Sequence, residues 1–244
     1  MIIPDQNIIS YFKRHQALFG DQLILGERHR EETTAGRIVE PSPPGALQAF
    51  NDDIKSCRKC ALGASRRNFV FGAGNPDADL VFVGEAPGER EDQLGEPFVG
   101  RAGILLDKIL AAIDLTRQDV YILNVLKCRP PNNRDPVPEE VKQCEPYLKQ
   151  QLRIIKPKLI VALGRVAAKT LLRLNESLKN MRKNSYIYEG IELRVTYHPA
   201  ALLRNSNFKA PAWEDFQAIR DRYRELTGTQ PGSAHPAAGE AKAS

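Results

Sequence analysis

Three side chains suited to proton transfer and polar recognition follow three short apolar runs. Glu85 comes after Asp79–Gly84, Asn124 stands near the end of Val120–Val125, and His198 comes after Glu192–Tyr197. A carboxylate can take a proton, an amide offers a donor and an acceptor together, and an imidazole can do either near neutral pH. Taken singly, each has an ordinary explanation: a solvated loop acid, a turn amide, a structural histidine. Three at corresponding strand ends mark a functional site. The glycines around Glu85 spell no dinucleotide fingerprint, and no GxxxxGK[ST] phosphate loop is present, which argues against a nucleotide-cofactor enzyme.

The four cysteines form a second constellation: Cys57 and Cys60 as C-x2-C, then Cys128 and Cys144. Four thiols in a chain that reads as intracellular point to a metal or cluster site. Arg58 and Lys59 lie between the first two and favour the thiolate form. A structural zinc ribbon usually has two short knuckles, and the spacing matches no standard ferredoxin pattern, so it leaves zinc and iron–sulfur both open.

Positioning these residues requires strands and helices in alternation. The runs Asp79–Gly84, Val120–Val125, Leu159–Leu163 and Glu192–Tyr197 predict four strands, compact and apolar as in a sheet covered on both faces. Between and after them, helical spacing joins Leu106, Ile109, Leu110 and Ile113, then Val141, Cys144, Leu148 and Ile155 after Pro138, then Val166–Leu174, and finally Trp213, Phe216, Ile219 and Tyr223. The order predicts an α/β protein with a mostly parallel four-stranded central sheet and its chemistry at the carboxyl ends of the strands. Residues 1–45 read as an appendage ending in a Pro-rich linker, 46–227 as the working domain, and 228–244 as a disordered tail.

The 244 residues carry a net charge of +5 and are 42% hydrophobic, enough for a real core. Residues 165–209 hold nine basic and three acidic side chains, a stretch that suits a phosphate backbone as well as it suits a solvated face. No apolar run is long enough to cross a bilayer. The N-terminus lacks the pattern of a secretory signal, so the expectation is a cytoplasmic protein without disulfides.

Taken together, GEAPGEREDQLGEPFVGRAGILLDKIL, LNVLKCRPPNNRDP and YHPAALLR, with the flanking cysteines, resemble the family 4 uracil-DNA glycosylases over residues 50–226. The resemblance implies a three-layer α/β/α fold and a [4Fe–4S] cluster on Cys57, Cys60, Cys128 and Cys144. It also implies excision of uracil from DNA to leave an abasic site. In that reading Phe98 stacks on a flipped uracil and Asn124 reads its Watson–Crick edge. His198 donates to uracil O2, Glu85 positions or activates water, and Glu91 crowds the 5-position of the base. Leu202 and Leu203 are candidates for the wedge that fills the emptied stack, and Arg129, Arg134 and Arg204 for phosphate contacts. The cluster is read as a staple, because hydrolysis of an N-glycosidic bond transfers no electrons.

Two departures from related patterns bear on the chemistry. Ala86 stands where the best-known glycosylases carry an Asp, which puts more weight on Glu85. The segment Pro131–Pro136 is short and has no His, unlike relatives that become trapped covalently on the abasic product. The competing reading is a non-catalytic DNA-binding or redox-responsive iron–sulfur module on the same fold. The expected partner is uracil-containing DNA, the expected state a monomer, and the N-terminal segment is a candidate contact for a repair or replication protein.

Overall fold

A computed structural model describes residues 42–228. The appendage before them and the tail after them lie outside the described residues. Six strands form one sheet: β1 (Ala73–Gly74), β2 (Leu80–Gly84), β3 (Tyr121–Asn124), β4 (Leu159–Leu163), β5 (Tyr186–Tyr188) and β6 (Ile191–Thr196), in the order β1-β3-β2-β4-β6-β5. The inner four are parallel and are the four anticipated from the sequence. The two edge strands are antiparallel additions. β1 has only two residues, too few for any periodicity. β5 folds back on β6 through Glu189 and Gly190, both at positive φ, as a tight hairpin requires.

Alternation along the strands explains the three layers. Val81, Val83, Leu123, Ile160, Ala162, Leu193 and Val195 face one core. That core is covered by α1 (Pro43–Ile54), α5 (Pro138–Ile155) and α6 (Arg165–Leu172). Leu80, Phe82, Ile122, Leu159, Val161 and Leu163 face the other, under α4 (Arg101–Ala112) and α9 (Lys209–Thr227). Strands buried on both sides have no polar face to show, which is why they read as continuous apolar runs. Shorter helices complete the set: α2 (Leu62–Ser65), α3 (Glu89–Leu94), α7 (Leu178–Met181) and α8 (Pro199–Arg204). β3 lies on one side of β2 and β4 on the other, so the crevice at their carboxyl ends is a topological switch point.

Three details differ from the sequence reading. Pro43, Pro44 and Gly45 belong to the first turn of α1 rather than to a linker, since proline is well suited to a first turn. Trp213 is 39% exposed, and the inward face of α9 is Ala212, Phe216, Ile219 and Tyr223. The segment after Glu85 is not a plain loop: α3 carries Glu91 and ends at Gly95 in a left-handed C-cap.

A buried ion pair ties α9 to the sheet. Arg182 grips Asp215 through Nε and Nη2 at 2.6 and 2.7 Å, and Thr196 Oγ1 donates to the same carboxylate at 2.6 Å. Both charged side chains are about nine-tenths buried. Asp215→Ala leaves that guanidinium unpaired and is expected to destabilise the fold by about 3 kcal/mol in urea unfolding. Asp52→Ala, which removes an exposed pair with Lys55 on the surface of α1, is expected to leave the urea midpoint nearly unchanged.

Candidate active site

The cleft at the carboxyl ends of the parallel strands has a volume of about 730 Å³ and is lined by Glu85, Glu91, Phe98, Asn124, His198 and Arg204 among others. Its inner wall depends on a missing side chain. A Cβ at Gly84 would lie 2.2 Å from Asn124 Oδ1 and 2.7 Å from the Phe98 ring, so only glycine lets the amide and the aromatic meet behind the end of β2. The amide of Asn124 is buried, yet its Oδ1 has no hydrogen-bond partner among the described residues. A buried acceptor left open is costly unless a ligand donates to it. The main chain of Asn124 is held in turn: its carbonyl accepts from Nζ of Lys127, a fully buried lysine, at 2.8 Å.

His198 closes the cleft from the end of β6. It caps α8, and its Nδ1 accepts the Ala200 N–H at 3.1 Å. An acceptor nitrogen carries no proton, so the neutral ring keeps its proton on Nε2. Burial, with the Arg204 charge added, pushes the imidazole down to about 4. At neutral pH His198 is therefore an uncharged donor. Its ring stacks on Phe98 with centroids 5.4 Å apart. Tyr197, just before it, lies between the Arg182 guanidinium at 4.5 Å and the Phe208 ring at 4.6 Å, which fixes the approach of the chain.

Glu85 is half-buried, and its carboxyl moves the other way. Desolvation raises it first and the nearby Asp135 charge second, against Arg165 and Arg204, bringing it up to about 7. Asp135 and Arg165 are themselves paired at 3.0 Å on the rim. Glu91 serves as a clasp. Its Oε1 accepts the N–H groups of Val99 and Gly100 at 2.9 and 2.8 Å, tying α3 to the loop that carries Phe98.

The outer candidates separate. Leu203 is 43% exposed, whereas Leu202 is 4% exposed and packs inside, because the first turn of α8 points its side chain inward. Arg204 lines the cleft and is in no ion pair among the described residues. Arg129 donates to Asn133 Oδ1 at 2.8 Å. Arg134 is bound in bidentate fashion to Glu140, at 2.6 and 2.9 Å, and so bolts the loop to the start of α5. The sequence reading missed Arg165, Asp135 and Lys127. The strand-end logic that found Glu85 and His198 points equally to Gly164-Arg165 after β4.

The four thiols line one pocket, with Arg66, Phe69 and Tyr147 around them. None is in a disulfide. Among the described residues, no three His, Cys, Asp or Glu side chains converge as they would on a single metal ion. The sulfurs instead surround the pocket and receive hydrogen bonds: Arg66 Nη1 to Cys128 at 3.2 Å, Tyr147 Oη to Cys57 at 3.1 Å, and the Lys127 N–H to Cys144 at 3.3 Å. Burial pushes the Cys144 thiol up to about 11, so an anionic sulfur there needs a cationic centre bound to it.

Comparison with known proteins agrees with this geometry. Residues 71–217 match the model of the uracil DNA glycosylase superfamily. The chain is 51% identical to the Type-4 uracil-DNA glycosylase of Archaeoglobus fulgidus over 175 residues, 68% of this chain and 88% of the relative. It is 46% identical to that of Sulfurisphaera tokodaii over 185 residues, 72% and 84% of the two chains. A Type-5 uracil-DNA glycosylase of Pyrobaculum aerophilum is 29% identical over 198 residues, 68% and 87% of the two.

The raised Glu85 has a consequence for stability that is independent of any reaction. A carboxyl whose folded pKa lies above its unfolded value holds protons more tightly when folded, so stability is lost as pH rises from about 4.5 to about 7. Glu85→Gln removes that cost. The variant is expected to melt about 2–5 °C above the wild type at pH 8 and level with it at pH 4, a comparison read by calorimetry.

Proposed function

The chain belongs to the uracil-DNA glycosylase superfamily, and on that premise we propose how its site performs uracil excision. The protein is a uracil-DNA glycosylase: it hydrolyses the N-glycosidic bond of uracil in DNA and leaves an abasic site. The observation that carries the assignment of the pocket is the buried Oδ1 of Asn124, a residue of the cleft lining, which sits beside Phe98 and the end of β2 without a hydrogen-bond partner among the described residues. Uracil offers a donor at N3–H where cytosine has an acceptor, so a fixed amide oxygen accepts from the first and repels the second.

The target base leaves the stack and enters the cleft, with Phe98 against its face. As the C1′–N1 bond breaks, its electron pair moves onto the base and positive charge grows on the sugar. His198 Nε2–H donates to uracil O2 and stabilises the departing anion without giving up a net charge. Glu85, ionised, faces the cationic sugar and takes a proton from the water that attacks C1′. Ala86 supplies no second carboxylate, so both roles fall on Glu85. Glu91 acts through the Phe98 loop, and in this reading also crowds the 5-position of the base. Leu203 is the wedge and Leu202 is core. Arg204 and Arg129 are the phosphate contacts this reading keeps, with Arg134 assigned to holding the loop.

The thiol pocket fits an iron–sulfur group: four soft donors, no His, Asp or Glu in its lining among the described residues, and N–H and O–H donors aimed at sulfur. We assign Cys57, Cys60, Cys128 and Cys144 to a [4Fe–4S] cluster. Bound there, it supplies a cross-link between the segment after α1 and the segment after β3.

Excision from an oligonucleotide with one U·G pair tests the reading. Glu85→Gln and His198→Ala are each expected to lower the single-turnover rate by about 10²–10³-fold while affinity for abasic DNA is largely kept. Wild-type rates in both would sink the assignment. The wild-type rate is expected to rise with pH around a midpoint of about 7 as Glu85 ionises, with no limb from His198 between pH 5 and 8, and the rise should be absent in Glu85→Gln. For the cluster, the purified protein is expected to show the broad visible absorbance of thiolate-to-iron charge transfer. Bleaching it with an oxidant and chelator should lower the melting midpoint by roughly 10 °C. A colourless protein with stoichiometric zinc would replace that assignment.

A further inference from the structure

Phe98 is the only aromatic residue with a left-handed backbone among the described residues, at φ 54°. A bulky side chain adopts that conformation only where its surroundings hold it there. Two charged side chains grip the loop from opposite ends. Downstream, Glu91 takes the amides of Val99 and Gly100. Upstream, Arg117 takes the carbonyls: Nη2 donates to the Phe98 oxygen, and Nη1 donates to the Pro97 oxygen at 3.1 Å.

Arg117 is fixed on its other edge. Its Nε donates to Asp107 Oδ1 in α4 at 2.7 Å, and Nη1 lies 3.7 Å from Glu96. The side chain is 23% exposed and does not line the cleft. Behind the same carbonyl, α4 comes so close that a Cβ at Gly103 would sit 1.6 Å from the Phe98 oxygen. The carbonyl is thus backed by the helix and taken up by the guanidinium. A planar fork with five donors can hold two adjacent carbonyls and a carboxylate at once, and an ammonium cannot match that geometry.

We propose that Arg117 is a positioning residue for base recognition: by fixing the Pro97 and Phe98 carbonyls it holds the Phe98 ring where an extruded uracil stacks. The proposal rests on the reading of Phe98 as the stacking residue. It predicts that Arg117 matters through Phe98 and not otherwise.

The test is a double-mutant cycle on single-turnover uracil excision from a U·G duplex, with Arg117→Met, Phe98→Ala and the double variant, each checked by thermal melting. Arg117→Met is expected to slow excision by about tenfold to a hundredfold, with affinity for abasic DNA unchanged, and Arg117→Lys to recover part of the loss. The double variant is expected to be no slower than Phe98→Ala alone, because the ring that Arg117 positions is gone. A residue that merely supported the fold would give losses that multiply, and that result overturns the proposal. Wild-type excision by Arg117→Met beside a slow Phe98→Ala overturns it too, while leaving the stacking role intact. Wild-type excision by Phe98→Ala overturns both. Should Arg117→Met fail to fold, the same cycle with Arg117→Lys decides between the coupled and the multiplicative result.

Discussion

The site depends on one close approach: the end of β2 carries no side chain, so the amide of Asn124 and the ring of Phe98 can occupy the space where a Cβ at Gly84 would be. Parallel strands make this possible. Gly84 pairs in register with Asn124, and the ladder continues past the strand ends as Val125 and Leu126 donate to the carbonyls of Gly84 and Glu85. Glu85 and Asn124 are therefore set side by side by backbone hydrogen bonds, not by their own side chains. Glu85 and Asn124 are thus attached to the buried middle of the sheet, whereas Phe98 comes to the cleft from a loop and His198 from the start of α8.

Burial then works on the two titratable groups in opposite senses. It raises a carboxyl and lowers an imidazole, because in each case the charged form is the one that loses water. Glu85 reaches about 7 and His198 about 4, which inverts their ordinary order. A pair of groups driven apart in this way has its roles assigned by the environment. The imidazole can only donate through Nε2, since Nδ1 is spent on the Ala200 amide. On the proposed reading the carboxyl is left as the base. Arg204 contributes to both shifts in the same direction, favouring an ionised Glu85 and a neutral His198, so a cation at the mouth of the cleft tunes both partners.

Much of this was legible in the sequence, and the illegible parts share a cause. Four strands could be read because strands buried on both faces are continuous apolar runs, and Glu85, Asn124 and His198 could be read because they follow those runs. β1 and β5 could not, being too short or half exposed, with Ile187 at 70%. The choice between Leu202 and Leu203 depends on helix phase, which is set by the start of α8 at Pro199. Trp213 failed for the same reason. The positive φ of Phe98 left no mark in its residue type, since the signal lies in partners such as Arg117 and Gly103 that nothing in the local sequence connects to it. Spacing revealed the cysteines, but not the Arg66 and Tyr147 donors, which come from residues 62 and 90 positions away from their sulfurs.

The thiol pocket and the cleft are joined through one stretch of main chain. Asn124 and Cys128 are four residues apart, so a short segment runs from the Asn124 amide to a sulfur of the pocket. Lys127 spans the interval: its Nζ holds the Asn124 carbonyl while its own N–H lies on Cys144. The carbonyl of Lys127 in turn accepts from Val70, which joins the segment following α2. With no hydrogen bond to the Asn124 side-chain oxygen among the described residues, the position of its amide is decided largely by the main chain on either side. On one side that is the pairing of β3 with β2. On the other it is the segment through Lys127 and Cys128, which reaches the thiol pocket. On the proposed reading, a cluster held at the thiol pocket would fix the second boundary of Asn124 and would act through the position of the main chain rather than by chemistry of its own.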